Sequence, residues 1–165
     1  MSLERLWADW RSAYVSSADA ERDRTGCVIC NLVNATDDSE ALVLERTAET
    51  ITVMNLYPYG SGHLMVAPVQ HVAAYDDLDD DCNVAIARAQ LRALRAIRAA
   101  YGPEGVNVGA NLGKAAGAGV PGHLHVHVLP RWTGDTNFMT SVAEVRVLPE
   151  SLRIGYDKLR SVWPG

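Results

Sequence analysis

Three histidines alternate with apolar residues in the segment His-Leu-His-Val-His-Val-Leu-Pro at residues 123–130. Successive side chains of a β-strand point to opposite faces of a sheet. A strand would therefore place His123, His125 and His127 on one face and the intervening apolar residues on the other. On a helix, each of these histidines would be rotated by about 200° from the one before it. The segment predicts a strand with one face in the core.

Neighbouring imidazoles are costly to keep without a purpose. Charged rings repel one another, and a buried neutral ring still needs a hydrogen-bond partner. Histidine also gains and loses protons near neutral pH and is a common metal ligand. The row is suited either to a metal site or to covalent catalysis by an imidazole. Because the chain has five histidines in all, three on one strand face favour such a site over solvated surface residues.

The bulk properties of the chain exclude several classes of protein. Its 165 residues suffice for one domain with a hydrophobic core. The formal net charge of −5 argues against a basic surface for a nucleic-acid polymer, although local donors could still hold a small nucleotide. No apolar run approaches the roughly eighteen residues that cross a bilayer. Residues 1–11 alternate apolar with charged types, unlike a secretory signal, so we expect a cytoplasmic protein.

The hydrophobic pattern predicts an α+β fold. Short turns between consecutive strands favour an antiparallel sheet of about five strands, accompanied by a long helix and terminal helices. The predicted strands are 41–45, 50–55, 63–68, 106–111 and 123–130, and the predicted helices are 3–14, 84–100 and 152–163.

Several segments together resemble one family. The segment at 123–130 is similar to the His-φ-His-φ-His-φ-φ signature (φ, apolar) of the histidine-triad nucleotide hydrolases and transferases. Asn-Leu-Tyr-Pro-Tyr-Gly-Ser-Gly-His-Leu-Met-Val at 55–66 looks like the nucleotide-binding strand–turn–strand of that family. Asn-Val-Gly-Ala-Asn-Leu-Gly at 107–113 and Pro-Arg-Trp-Thr-Gly-Asp-Thr-Asn-Phe-Met at 130–139 resemble its diadenosine-tetraphosphate phosphorylase and fragile-histidine-triad branches. They are less like the small phosphoramidase branch.

The resemblance implies one histidine-triad domain over residues 1–165. Residues 1–26 would form an N-terminal helical extension, 27–139 the catalytic core, and 140–165 a C-terminal extension with a helix.

The resemblance also implies a homodimer, because the sheets of two subunits join edge to edge in this family. Leu91, Leu94 and Ile97 on the predicted long helix give weak independent support. Packing in the core of the same chain is the simpler role for these three residues.

The family mechanism implies that the middle histidine, His125, attacks the α-phosphorus of a nucleotide and forms a nucleotidyl-histidine intermediate. His127 and His63 would flank the phosphate and stabilise the charge that is transferred. A backbone carbonyl could fix the tautomer of His125 by accepting from its other nitrogen. Asn55, eight residues before His63, maps onto a contact with the ribose hydroxyls.

The glycine-rich segment 113–122 could offer backbone N–H groups to phosphate oxygens, although a flexible hairpin connection has the same composition. Asn111 and Lys114 are candidate phosphate contacts, and the loop is about one residue longer than in the fragile-histidine-triad branch. Gly119 stands where many relatives carry a glutamine, four residues before the first triad histidine. A leaving-group contact at that position would therefore come from the loop backbone.

Cys27 and Cys30 form a C-x-x-C pair, and the resemblance implies that His71 and His123 complete a zinc site with them. Two cysteines and two histidines make a closed tetrahedral set, which has a structural role. A reduced cysteine pair with His71 on the surface is the alternative. Thioredoxin-like redox chemistry is less consistent with the sequence, because no βαβ pattern surrounds the pair.

Taken together, the resemblance implies an enzyme that cleaves dinucleoside polyphosphates, with diadenosine tetraphosphate as the leading substrate. Water as the second acceptor would make the enzyme a hydrolase, and inorganic phosphate would make it a phosphorylase. A nucleoside phosphoramidase and a nucleotide-binding sensor with vestigial catalysis are the alternatives.

Overall fold

The computed structural model describes residues 26–135 and 150–164. Within them the chain forms three α-helices and five strands, with short 3₁₀ helices at Tyr75–Asp77 and Lys114–Ala116. The helices are α1 (Val28–Asn34), α2 (Asp80–Tyr101) and α3 (Leu152–Ser161), and the strands are β1 (Val43–Arg46), β2 (Thr50–Met54), β3 (Leu64–Pro68), β4 (Gly105–Gly109) and β5 (Val126–Arg131).

The strands form a single sheet in the order β1-β2-β3-β5-β4. Every neighbouring pair is antiparallel. Strand β5 lies between β3 and β4, and His127 on β5 stands opposite Met65 on β3. This architecture confirms the predicted α+β fold with a five-stranded antiparallel sheet, a long helix and a C-terminal helix.

The two faces of the sheet have different partners. One face packs against the alanine-rich side of α2 and against α3, and Leu124, Val126 and Val128 lie in this larger cluster. The other face forms a smaller cluster with α1, in which Ile29 is the buried residue of the helix. Since the apolar residues of the 123–130 segment point toward α2, the alternating histidines lie on the side of the sheet that faces away from α2.

Helix α2 begins four residues earlier than the sequence predicts. The Asp79 side chain accepts a hydrogen bond from the backbone N–H of Cys82 at 2.7 Å, so it caps a helix whose first turn is acidic. The helix ends at Gly102, whose φ of 52° lies in the left-handed region that glycine tolerates. The final helix was predicted over 152–163 and ends at Ser161.

The predicted start of one strand needs correction, and one helix was missed. Strand β5 begins at Val126, three residues later than predicted, because the backbone before it bonds outside the ladder: Leu124 N–H donates to the Val72 carbonyl at 2.6 Å. Helix α1 was not predicted, because a seven-residue helix leaves almost no periodic signal in the sequence. The predicted helix over 3–14 lies outside the described residues. No described helix combines the length and apolarity that crossing a bilayer requires.

Candidate active site and metal cluster

His125 is buried, with 4% of its surface exposed, just before β5 begins. Its Nδ1 lies 2.8 Å from the carbonyl oxygen of His123. A carbonyl can only accept, so Nδ1 carries the proton and the lone pair of the neutral ring is on Nε2. This contact identifies the carbonyl that fixes the tautomer, which the sequence could not specify.

His63 and His127 form a directional pair beside His125. The backbone N–H of Tyr59 donates to His63 Nδ1 at 3.0 Å, which leaves the proton of a neutral His63 on Nε2. That nitrogen lies 2.9 Å from His127 Nδ1, so it donates to His127. A neutral His127 therefore carries its own proton on Nε2. The rings of His125 and His127 have centroids 5.0 Å apart.

The rings of His125 and His127 therefore differ in what they can do chemically, although both are imidazoles. His125 presents a nucleophilic lone pair on Nε2, whereas His127 presents an N–H donor. This difference in chemical role follows from two backbone groups of fixed character. The His123 carbonyl can only accept a hydrogen bond, and the Tyr59 amide can only donate one. A nucleophile beside a hydrogen-bond donor is the arrangement that covalent catalysis on a phosphoryl group needs.

Tyr59 belongs to this group of residues, although no spacing rule in the sequence indicates it. Its ring centroid lies 4.8 Å from that of His63 and 5.7 Å from that of His127. In the same turn Gly62, directly before His63, has a φ of +71°, and a Cβ there would meet the ring of Tyr101. From the sequence, a tyrosine between Pro58 and Gly60 is predicted only to belong to a turn.

Asn55 is buried at the end of β2, and its contacts organise the turn that leads to His63. Its Oδ1 accepts from the Tyr57 N–H at 3.0 Å, and its Nδ2 lies 3.4 Å from His63 Nδ1. Its backbone N–H donates to the His63 carbonyl at 2.9 Å. The Asn55 side chain thus contacts His63. It is also the residue that the resemblance predicts to contact the ribose.

The glycine-rich loop is built from local hydrogen bonds. Asn111 Nδ2 donates to the Gly117 carbonyl at 3.3 Å, which ties the start of the loop to its middle. Lys114 is exposed at the start of the second 3₁₀ helix, and Gly119 is half-buried. Gly113 and Gly117 both adopt positive φ angles, 80° and 84°. The loop needs glycine at these two positions for its path.

Cys27, Cys30, His71 and His123 form a cluster whose ligand atoms all lie within 4.8 Å of one another. His123 Nδ1 is 3.3 Å from Cys27 Sγ and 3.5 Å from Cys30 Sγ, and His71 Nδ1 is 3.2 Å from Cys30 Sγ. Zn–S bonds of about 2.3 Å and Zn–N bonds of about 2.0 Å put neighbouring ligand atoms about 3.5 Å apart in a tetrahedron. The cluster therefore has the composition and the dimensions of a four-coordinate metal site.

His123 is oriented for such a site. Its Nε2 donates to the Pro68 carbonyl at 2.9 Å, so the lone pair of Nδ1 faces the two sulfur atoms. Burial lowers the pKa of His123, a shift that the Pro68 hydrogen bond opposes and that the neighbouring His71 and His125 reinforce. A neutral ring is the form that binds a metal. Burial, together with Cys27, raises the pKa of the Cys30 thiol, so metal binding has to displace a proton there.

Comparisons with known proteins match most of the chain. The family model described as the HIT domain matches residues 36–134 of the chain. The AP-4-A phosphorylase of Mycobacterium tuberculosis is 38% identical over 98% of this chain and 85% of its own length. An adenosine 5'-monophosphoramidase of Schizosaccharomyces pombe is 28% identical over 76% of this chain and 95% of its own length. A zinc-bound histidine triad family protein of Mycobacterium smegmatis superposes with a TM-score of 0.68 at 27% identity, covering 83% and 92% of the two chains.

Proposed function

The chain belongs to the HIT family of nucleotide hydrolases and transferases, and on that basis we propose that it cleaves dinucleoside polyphosphates, with diadenosine tetraphosphate as the leading substrate. The reaction proceeds through a nucleotide bound covalently to His125. The observation that carries this proposal is the hydrogen bond from His125 Nδ1 to the His123 carbonyl, which puts the lone pair of a buried imidazole on Nε2. The 38% identity to an AP-4-A phosphorylase supports the substrate class.

In the first step His125 Nε2 attacks the α-phosphorus while the bond from that phosphorus to the bridging oxygen breaks. A new N–P bond forms, and the leaving nucleotide departs with the electron pair of the broken bond. The ring of His125 becomes cationic, and the His123 carbonyl stabilises that charge by accepting from Nδ1. One difficult displacement is thereby divided into two easier ones.

His127 and His63 supply the electrostatic part of the reaction. His127 Nε2–H donates to a phosphoryl or leaving-group oxygen, where negative charge accumulates. His63 holds the His127 ring in the required tautomer through the 2.9 Å hydrogen bond. A donor that is oriented before the reaction costs no reorganisation during it, and the loss of one such donor slows catalysis about 10²- to 10³-fold.

The nucleotide lies along the turn 55–62 and the glycine-rich loop. In the proposed complex, Asn55 reaches the ribose hydroxyls with the remaining acceptor capacity of its amide oxygen. Backbone N–H groups near Gly119, together with Asn111 and Lys114, contact the phosphates beyond the α-phosphate. Tyr59 packs on His63 and His127 and supports the orientation of both rings.

Cys27, Cys30, His71 and His123 would hold a zinc ion as a set of four side-chain ligands. A zinc ion held in this way would have a structural role, since four protein ligands leave no place for substrate. His123 belongs to both parts of the molecule: its Nδ1 faces the sulfur atoms, and its carbonyl accepts from His125. A fixed His123 therefore also fixes the orientation of the nucleophile. Metal analysis of protein purified without chelator should give close to one zinc per chain.

The exposed edge strand β4 is the proposed dimer interface. It ends the sheet, and Val108 is 45% exposed there. An edge strand presents unpaired backbone N–H and carbonyl groups with which a strand of another chain can pair. Leu91 on α2 is also exposed. Ile97 is buried in the core, which agrees with the packing role expected for it. Light scattering after size exclusion tests for a mass of two chains.

The second acceptor is tested by product analysis of diadenosine tetraphosphate cleavage with and without inorganic phosphate. ADP that appears only with phosphate identifies a phosphorylase, and AMP released without phosphate identifies a hydrolase. Faster hydrolysis of an adenosine phosphoramidate than of the dinucleotide would favour the activity named for the S. pombe relative. Turnover that survives in His125→Ala would overturn the covalent mechanism and favour a binding role.

A further inference from the structure

Helix α1 carries one half of the metal cluster but is too short to be stable alone. It has seven residues, with Cys30 in its first turn and Cys27 at its N-cap position. Isolated helices shorter than about 12–15 residues are marginal in water. The N-cap offers no side-chain hydrogen bond, and the last turn contains no basic residue of its own. The order of this helix must therefore come from contacts with the rest of the protein.

Arg46, outside the helix, contacts its C-terminal carbonyl groups. Nη1 donates to the Val33 carbonyl at 2.8 Å, and Nη2 donates to the carbonyls of Leu32 and Ala35 at 2.8 and 3.1 Å. The last carbonyls of a helix have no partner within the helix and form the negative end of its dipole. A planar guanidinium can reach several of them at once while placing a positive charge there.

The guanidinium is itself held in place from two sides. Its Nε donates to Asp38 Oδ1 at 2.5 Å. Arg46 is the last residue of β1, and its backbone pairs with Ile51 on β2. Strand β1 is fixed further by α3, since Arg160 Nη1 donates to the Leu44 carbonyl at 2.8 Å. The contact between Arg46 and α1 therefore joins the helix to the sheet through β1.

We propose that Arg46 is a positioning residue for the metal cluster, and this rests on the metal site proposed above. Arg46 orders α1 before the ion binds, so that Cys27 and Cys30 already face His71 and His123. Without Arg46, part of the binding free energy goes into ordering the helix, and the measured affinity falls. Burial of Ile29 still anchors the helix, so the effect is a weaker site and not the loss of the site.

The test is the zinc affinity of metal-free protein, measured by competition with a chromophoric chelator. The variants are Arg46→Ala, Arg46→Lys and the control Arg95→Ala, which removes an exposed arginine from α2. Loss of a group that hydrogen-bonds a metal ligand lowers affinity by about 10- to 100-fold. Arg46 contacts the helix and not the ligands themselves, so we expect Arg46→Ala to lie at the lower end, with a loss of about 10-fold. Arg46→Lys should fall between Arg46→Ala and wild type, because an ammonium group cannot reach three carbonyls in one plane. Arg95→Ala should keep the wild-type affinity.

Two further measurements separate the possible outcomes. Cobalt at saturation should give the same thiolate charge-transfer absorption in Arg46→Ala as in wild type, because the ligands themselves are intact. If Arg46 stabilised only the fold, the melting temperatures of the metal-free and zinc-loaded forms would fall together with no change in affinity, and the proposal would be overturned. If wild type itself binds no zinc, the metal site fails; if wild type binds zinc and Arg46→Ala binds equally well, only the role of Arg46 fails.

Discussion

Replacing Gly62 by alanine should destabilise the protein through a contact next to the active site. Gly62 has a φ of +71°, and a Cβ there would lie 2.6 Å from Cε2 of Tyr101. The backbone conformation costs a non-glycine residue about 1–2 kcal/mol, and forcing an extra carbon into a packed site adds about 1–3 kcal/mol. We therefore expect Gly62→Ala to lower the free energy of unfolding by about 2–5 kcal/mol.

The matched control is Gly102→Ala at the end of α2. Gly102 also has a positive φ, +52°, but a Cβ there meets no atom within 4 Å. Gly102→Ala should therefore show only the backbone cost of about 1–2 kcal/mol. Urea denaturation of both variants, followed by fluorescence, isolates the packing contribution as the difference between them. Equal losses of stability in the two variants would refute the claim that the ring of Tyr101 leaves no room for a side chain at Gly62.

The remaining predictions concern the site, the metal and the interface. His63→Asn should reduce turnover about 10²- to 10³-fold while the variant stays folded, because His127 loses the group that orients it; steady-state kinetics and circular dichroism check this. Cys27→Ser should lose most of the bound zinc and melt at a lower temperature, as metal analysis and calorimetry would show, whereas Cys82→Ser should retain the zinc. Val108→Lys should convert a dimer to a monomer in light scattering, because a lysine on the edge strand opposes pairing; a variant that stays dimeric would exclude β4 as the interface.

The sequence predicted the part of the site that depends on strand alternation. His127 follows that rule on β5, whereas His125 lies just before the strand begins. The apolar residues on either side of both histidines lie in the core against α2. The pairing of Cys27 and Cys30 with His71 and His123 also matches the structure, because the resemblance supplied partners that are far apart in the chain. Patterns of this kind depend on residue type and spacing, which are visible in one sequence.

Other features of the site depend on backbone groups, which a sequence does not distinguish. The carbonyl of His123 and the amide of Tyr59 set the tautomers of His125 and His63, yet every residue except proline carries both groups. The hydrogen bonds of Arg46 at the end of α1 were equally invisible in the sequence, because they are tertiary contacts across 11 to 14 positions in the chain. The resemblance predicted Asn55 as a ribose contact. Its hydrogen bond with the Tyr57 N–H depends on the folded turn and is not visible in the sequence.

The measurement that tests the covalent mechanism most directly is a rapid quench of the enzyme during turnover of diadenosine tetraphosphate, followed by peptide mass spectrometry at alkaline pH. The account predicts an adenylyl group on the peptide that contains His125, with fragmentation assigning it to that residue. His125→Ala should show neither the adduct nor turnover. An adduct on another residue, or full activity in His125→Ala, would contradict the mechanism.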